Sequence, residues 1–253
     1  MEPIMDNIID LHNHTLPGVD DGAKTIKEAI ENINYLKERN ITDIVFTSHY
    51  IVNSKYEVSV AERKKILTKL KKYYKDDNIN FYLGNEVYVS DSNILLDLLK
   101  NNKLTTLNNS RYMLIEFSLT QKLQHVDQLL CELNEHGIVP IIAHPERYHD
   151  LQKNYKKIYE LLEYDCILQC NIGSLSGQYG REAKKYVKWL LKHNLVSILA
   201  TDFHHITKKE YLNKGLKKLN KLVSLKKRKD LLCRNPKLVL EDTKIDNMNY
   251  TVL

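Results

Sequence analysis

The sequence predicts an α/β protein folded as one barrel of parallel βα units, with a doubly wound open sheet as the alternative topology. Three observations lead there. Seven short apolar, β-branched runs alternate with longer stretches of helical periodicity, the pattern that parallel strands joined by crossover helices require. The length of 253 residues suits a single barrel and can bury a large core without disulfides or a structural metal. Nothing between the runs reads as a linker, and no internal repeat is visible.

A short N-terminal extension, residues 1–7, precedes the first expected strand, Ile8–His12. Thr25–Arg39 then carries Ile26, Ala29, Ile30, Ile33 and Leu36 mostly at helical spacing. Ile41–Ser48 is the second expected strand, and Val60–Tyr74, with Ala61, Ile66, Leu67, Leu70 and Tyr73, the helix after it. Ile79–Val89 and Tyr112–Phe117 are the third and fourth strands. Leu123–His136 is a helix that Gly137 stops. Val139–Ala143 and Cys166–Ile172 are the fifth and sixth strands. Arg181–His193 is a helix with Ala183, Val187, Leu190 and Leu191 on one face, and Leu195–Thr201 is the seventh strand. Lys208–Lys229 carries Leu212, Leu216, Leu219 and Val223 at helical spacing, which predicts a helix packed on the barrel with its lysines in solvent. The barrel domain is expected over residues 8–244, with residues 245–253 as a fraying tail.

Composition removes several classes. With 43% apolar and 28% charged residues, eight Gly and five Pro, the chain is neither collagen-like nor low-complexity nor disordered. No stretch approaches the roughly 18 apolar residues that a membrane-spanning helix needs. The N-terminal MEPIMDNIIDLHNH has no basic segment followed by an apolar one, so a secretory signal is not expected and the cytoplasm is the expected compartment. Thirty-eight Lys and Arg against 32 Asp and Glu give a net charge of +6, which permits an anionic substrate or a membrane-surface partner and demands neither. Cys131, Cys166, Cys170 and Cys233 lack zinc-type spacing and form no disulfide framework, so they read as buried free thiols in a reducing compartment.

The residues bearing chemistry stand at the ends of the strands. His12-Asn13-His14 ends the first; alternate side chains of a strand share a face, so both imidazoles can point at one ion. Asp20 and Asp21 lie in the turn after it, where turn formation and helix capping are the plain explanation. His49 comes after the second strand, Glu86 lies at the end of the third, Glu116 ends the fourth, His144-Pro145-Glu146-Arg147 ends the fifth, and Asp202-Phe203-His204 ends the seventh. Taken singly, each is as well explained by packing, capping or a buried pair. Together, six of seven strands end in His, Asp or Glu, and five of the ten histidines stand at those ends. In parallel barrels these ends converge on one mouth. Five imidazoles and four carboxylates gathered there need two or three divalent cations to offset repulsion between like charges. Such a ligand mix suits Mn, Fe or Zn. A cysteine-based phosphatase loop needs Arg six residues after Cys; those positions hold Gly137, Ile172, Ser176 and Val239, so phosphomonoester hydrolysis here would be metal-based.

The segments HNHTLPGVDDG, TSHY, LGNEVY, IEF, IAHPERY and TDFHH together resemble the PHP superfamily, and within it the capsule-regulating bacterial tyrosine-protein phosphatases of the CpsB/YwqE type. The likeness runs from about residue 7 to Asn235-Pro236. It implies a distorted (β/α)7 TIM-like barrel holding up to three ions, often Mn²⁺, with Zn, Fe or Mg as possible substitutes. By the resemblance His12, His14, Glu86 and Asp202 hold the first ion. Glu86 bridges to a second that Glu116 and His144 share, and Asp21, His49 and His204 hold the third. Arg147 clamps substrate phosphate; the plain alternative for it is a salt bridge to Glu146 or to a ligand carboxylate. The chain departs from the family at its N-terminal MEPIMDN and at Lys208 and Lys209, where relatives often carry arginine.

The resemblance implies a metal-dependent phosphotyrosine phosphatase acting on the tyrosine-rich tail of a membrane-associated bacterial kinase that controls polysaccharide export. A phosphoesterase for a small molecule such as histidinol phosphate is the second reading. A nucleic-acid-binding protein using the Lys208–Lys229 face is a third, disfavoured because Arg and aromatics are scarce there; no nucleic acid is expected as a partner. A non-catalytic metal-binding regulator is a fourth. Membrane insertion is not expected, and an oligomer is possible.

Overall fold

The computed structural model describes residues 7–76, 78–89 and 92–245. Its strands are β1 Ile8–Asn13, β2 Ile41–Phe46, β3 His49–Tyr50, β4 Asn80–Leu83, β5 Glu86–Tyr88, β6 Tyr112–Glu116, β7 Val139–Ala143, β8 Ile167–Asn171 and β9 Ile198–Ala200. The helices are α1 Ile26–Lys37, α2 Val60–Tyr73, α3 Ser92–Lys100, α4 Val126–Glu135, α5 His149–Lys153, α6 Ile158–Leu161, α7 Ile172–Ser176, α8 Gly180–Lys192, α9 Tyr211–Leu222, α10 Leu225–Lys229 and α11 Asn235–Leu240.

Every strand pairing is parallel, in the orders β1-β2-β4 and β3-β5-β6-β7-β8-β9. The two sheets form one wall. Two of the expected strands are broken: β2 takes the first part of Ile41–Ser48 and β3 resumes just past its end, while β4 and β5 are the halves of Ile79–Val89. Backbone bonds carry the wall across both breaks, Gly84 N–H donating to Phe46 O (3.0 Å) and Glu86 N–H to Thr47 O (3.1 Å). On the other side Asp202 N–H donates to His12 O and His14 N–H to Phe203 O, both at 2.9 Å, and close β9 onto β1. The barrel expectation holds and the open sheet does not.

Strand parity sets what lies inside. Leu114, Ile141, Ile167 and Ile198 pack with Leu11 and Val45, whereas Met113, Ile115, Ile142, Leu168 and Leu199 belong to the core shared with the helices. One step further along the inner rows of β6 and β8 stand Glu116 and Gln169, so the rows that fill the barrel also deliver polar groups to its C-terminal end. The C-terminal segment closes the opposite end: Val239 and Ile245 join the inner cluster, and buried Asn235 donates to Ser197 O at 2.8 Å.

Four further expectations change. The helix capped next to the mouth starts from Thr25, whose hydroxyl accepts from Glu28 N–H, not from Asp20 or Asp21. Lys208–Lys229 is two helices, because Ser224 caps a new start at α10 by accepting from Lys227 N–H. Ile245 is buried and its N–H donates to Tyr112 Oη, so the tail does not loosen there; residues 246–253 and 1–6 lie outside the described residues. Cys166 and Cys170 are buried as expected, but Cys131 is exposed.

Candidate metal centre

All nine side chains named from the sequence meet at the C-terminal mouth. The strand ends turn sharply to aim them. His144, just past β7, and Asp202, just past β9, stand in the left-handed region at φ 33° and 50°, an uncommon conformation for either residue. Gly22 lets its loop approach β1: a Cβ there would lie 1.7 Å from His14 O. That contact brings Asp20 and Asp21 against the end of the strand.

Three neighbouring groups of ligand atoms result. In the first, His12 Nε2 and His14 Nε2 are 3.1 Å apart, with Glu86 Oε2 at 3.2 and 3.3 Å and Asp202 Oδ1 at 3.4 and 3.5 Å from them. In the second, His144 Nε2 lies 3.0 Å from Glu86 Oε1 and 3.5 Å from Glu116 Oε1. In the third, Asp21 Oδ1 is 3.3 Å from His204 Nε2 and 3.6 Å from His49 Nε2, and His14 lies close enough to share the position. His49 stands between groups, because its Nδ1 is 3.0 Å from Glu86 Oε2.

The donor chemistry fits cations. His12 Nδ1 lies 2.8 Å from Gln169 Oε1, and His14 Nδ1 lies 2.8 Å from Asp20 Oδ2. Each acceptor calls for a proton on Nδ1, which leaves the two Nε2 lone pairs facing each other. Lone pairs at 3.1 Å repel unless a positive charge lies between them. Glu86 Oε2, His49 Nδ1 and His144 Nδ1 are buried without a hydrogen-bond partner. The first two face the cluster.

Electrostatics within the protein divide the groups. Burial pushes the His12 and His49 imidazoles down, but Glu86 and the carboxylates beside it outweigh that and carry both up to about 10. Burial and then Glu86 carry Glu116 up to about 8. Burial and then Arg147 carry His144 down to about 4. Glu86 and Asp202 resist burial and are held below the usual carboxylate range, chiefly by His12. Protons thus sit where cations would.

Arg147 stands at the rim and is paired with Asp202. Its Nη1 donates to Asp202 Oδ2 at 3.0 Å, and its guanidinium lies over the Tyr179 ring, 4.3 Å from the centroid. Asp202 Oδ2 also accepts from Asn171 Nδ2 at 2.7 Å and Tyr179 Oη at 3.0 Å. A cavity of about 270 Å³ opens beside this assembly, lined by Arg147, Tyr179, His204 and Tyr211 among others. A larger one, about 1130 Å³, lies at the far end of the barrel and contains none of the nine residues, so volume alone does not locate the chemistry.

Several supporting residues are not marked for these roles by the sequence alone. Gln169 and Asn171 carry a signal, two amides at alternate positions of an otherwise apolar strand. Asp20 reads from the sequence as a turn former; it does bond Gly22 N–H, and it also orients His14 and accepts from His49 N–H. Tyr179 carries no signal. His205 holds the Asp21 backbone through Nε2 at 3.0 Å. Arg63, fully buried on α2, donates to Asn85 Oδ1 and Gly84 O and pins the break before Glu86.

Comparison with known proteins agrees with this geometry. The family model for capsular polysaccharide synthesis, CpsB/CapC, matches residues 8–241. The chain is 34% identical to a putative tyrosine-protein phosphatase CapC of Staphylococcus aureus, over 94% of this chain and 93% of that one. It is 30% identical to the tyrosine-protein phosphatase CpsB of Streptococcus pneumoniae, over 93% and 99%. The fold superposes with a TM-score of 0.85 at 28% identity, covering 97% and 99% of the chains, on a crystal structure from work on YwqE of Bacillus subtilis and CpsB of S. pneumoniae, which are described as metal-dependent tyrosine phosphatases. The chain therefore belongs to the CpsB/CapC family of capsular polysaccharide synthesis.

Proposed function

We propose that the protein is a metal-dependent phosphotyrosine protein phosphatase whose substrate is the phosphorylated tail of a membrane-associated bacterial tyrosine kinase governing capsule or exopolysaccharide synthesis. One observation carries the reading: five imidazoles and four carboxylates converge within a few ångströms, with one arginine at their rim. His12, His14, Glu86 and Asp202 are assigned to the first ion, Glu86, Glu116 and His144 to the second, and Asp21, His49 and His204 to the third. Mn²⁺ is the proposed metal. Bound divalent ions supply charge neutralisation and water activation near neutral pH.

The protein's own groups do the rest. Gln169 and Asp20 hold the tautomers of His12 and His14. Arg147 spends one donor on Asp202 and has others for a phosphate oxygen. Tyr179 holds the guanidinium from below. The phenolate that leaves has a parent pKa near 10 and needs little protonation at departure.

Residues 8–244 are proposed as the working barrel, with Ile245 sealing its far end and residues 1–7 and 246–253 as extensions. No described helix is long and apolar enough to cross a membrane. A cytoplasmic location is proposed with that, and nucleic acid is not a proposed partner. The test is metal-stripped protein given Mn, Zn, Fe or Mg and offered a phosphotyrosine peptide beside histidinol phosphate. Turnover of the peptide, restored best by Mn, is expected. Turnover of histidinol phosphate alone would shift the reading to a small-molecule phosphoesterase.

A further inference from the structure

The outer wall beside the mouth carries a concentration of positive charge that the reaction does not use. Lys184 and Lys188 lie one turn apart on α8, and Lys214 and Lys218 one turn apart on α9. The two pairs face each other. Lys218 is held below the ordinary lysine range by desolvation and then by the neighbouring Lys184, Lys188 and Lys214. None of the four forms an ion pair with a carboxylate among the described residues. The acids at the starts of the same two helices are engaged elsewhere: Glu182 pairs with Lys185, and Glu210 accepts from Asn213. Four like charges crowded together without counter-charges repel one another, and an anion among them relieves that repulsion.

The position of the cluster says which anion. Both helices pack on α7. Gly215 of α9 approaches so closely that a Cβ would lie 2.3 Å from Ile172 O. Both helices start at the cavity beside Arg147: Gln178 and Tyr179 precede α8, and Tyr211 and Leu212 open α9, and all four line that cavity. A helix rises about 1.5 Å per residue and an extended chain about 3.3 Å. Lys214 therefore lies roughly one extended residue from the cavity, Lys184 roughly two, Lys218 roughly three and Lys188 roughly four. A row of positive charge that leads away from the cavity suits a chain emerging from it better than a flat membrane surface.

We propose that the four lysines of α8 and α9 are the docking track for an anionic polypeptide substrate, binding carboxylate or phosphate groups about one to four residues from the phosphotyrosine being hydrolysed. This rests on the phosphatase reading above. The track acts on capture of the peptide and not on the chemical step.

The test uses the full chain, metal-loaded, and a variant with Lys184→Gln, Lys188→Gln, Lys214→Gln and Lys218→Gln together. Two phosphotyrosine peptides are compared, alike except for Glu or Gln at the flanking positions, beside 4-nitrophenyl phosphate as a substrate too small to reach the lysines. Exposed charge pairs are individually weak, so the four together are expected to lower KM for the Glu peptide by about tenfold relative to the Gln peptide. The variant should erase that difference, keep kcat and 4-nitrophenyl phosphate turnover, and melt no lower than the parent. An unchanged Glu preference in the variant, or none in the parent, would overturn the track. So would loss of binding to phosphatidylglycerol vesicles with peptide KM unchanged, which would mark a membrane surface instead. If no phosphoester is hydrolysed, the phosphatase reading fails by itself, and fluorescence anisotropy of the same two peptides still decides the track.

Discussion

Replacing Arg147 with Ala separates holding substrate from holding metal. Asp202 Oδ2 loses one donor at 3.0 Å but keeps Asn171 Nδ2 at 2.7 Å and Tyr179 Oη at 3.0 Å. The carboxylate therefore stays oriented, and Oδ1 still faces His12 and His14. The side chain is 21% exposed, so its removal leaves a gap at the rim open to water and not a sealed cavity. Melting temperature and metal content should stay near those of the parent. The guanidinium has five donors and spends one on Asp202, so phosphate loses a preorganised partner, which costs about 10²–10³-fold in kcat/KM. Arg147→Lys keeps charge without the planar fork and should recover only part of this. The assay is steady-state turnover of a phosphotyrosine peptide, with metal content by mass spectrometry on the same samples. Loss of metal in Arg147→Ala, or full activity without the arginine, would refute the assignment and leave its ion pair with Asp202 as its whole role.

Three other outcomes are expected. Glu86→Gln should keep the fold and lose metal and activity together, since Glu86 faces His12, His14 and His49 with one oxygen and His144 with the other; metal content equal to the parent's would remove the bridge. Gly22→Ala must push the Asp20–Gly22 loop more than an ångström from His14, and a displacement of about 1 Å at a reacting centre costs about 10²-fold, so near-normal turnover would show that the loop does not place Asp21. Chelated protein should lose stability as pH rises from about 6.5 toward 10, because His12 and His49 are raised to about 10 and their contribution is complete only below the unfolded value. Glu116, raised to about 8, acts in the same direction, whereas His144, carried down to about 4, no longer titrates there. Metal needs the imidazoles neutral, so the gap in melting temperature between loaded and chelated protein should widen over that range; a constant or narrowing gap would refute the linkage.

How far each feature is legible in the sequence depends on how it is encoded. Strand ends are marked locally: an apolar run stops and His, Asp or Glu comes next, so the mouth can be assembled on paper from His12, His49, Glu86, Glu116, His144 and Asp202. The breaks after Phe46 and Leu83 are not legible, because composition stays strand-like across Thr47-Ser48 and Gly84-Asn85; Arg63, arriving from α2, holds Gly84 O and Asn85 Oδ1 at the second break, and Asn85 Nδ2 in turn donates to Ser48 O at the first. Tyr179 is invisible for a similar reason. Its role comes from a helix start that lies beside Asp202 only in three dimensions. Ser224 is the opposite case, a capping residue in plain sight within a lysine-rich run whose periodicity continues past it.

The two breaks in the wall have a mechanical consequence. His12 and His14 extend from the sheet of β1, β2 and β4, whereas His49, Glu86, Glu116 and His144 come from the other sheet. Few hydrogen bonds span the seam between the sheets: Glu86 N–H to Thr47 O on one side, and on the other the two backbone bonds of the β1–β9 closure with Thr201 N–H to Asp10 Oδ1 and the His12–Gln169 contact beside them. Ions shared by ligands from both sides would act there as rivets. Their removal would loosen the seam as well as stop the chemistry, and amide exchange at Asn13, Thr47 and Glu86 should quicken on chelation well before the inner rows of β6 and β7 are affected.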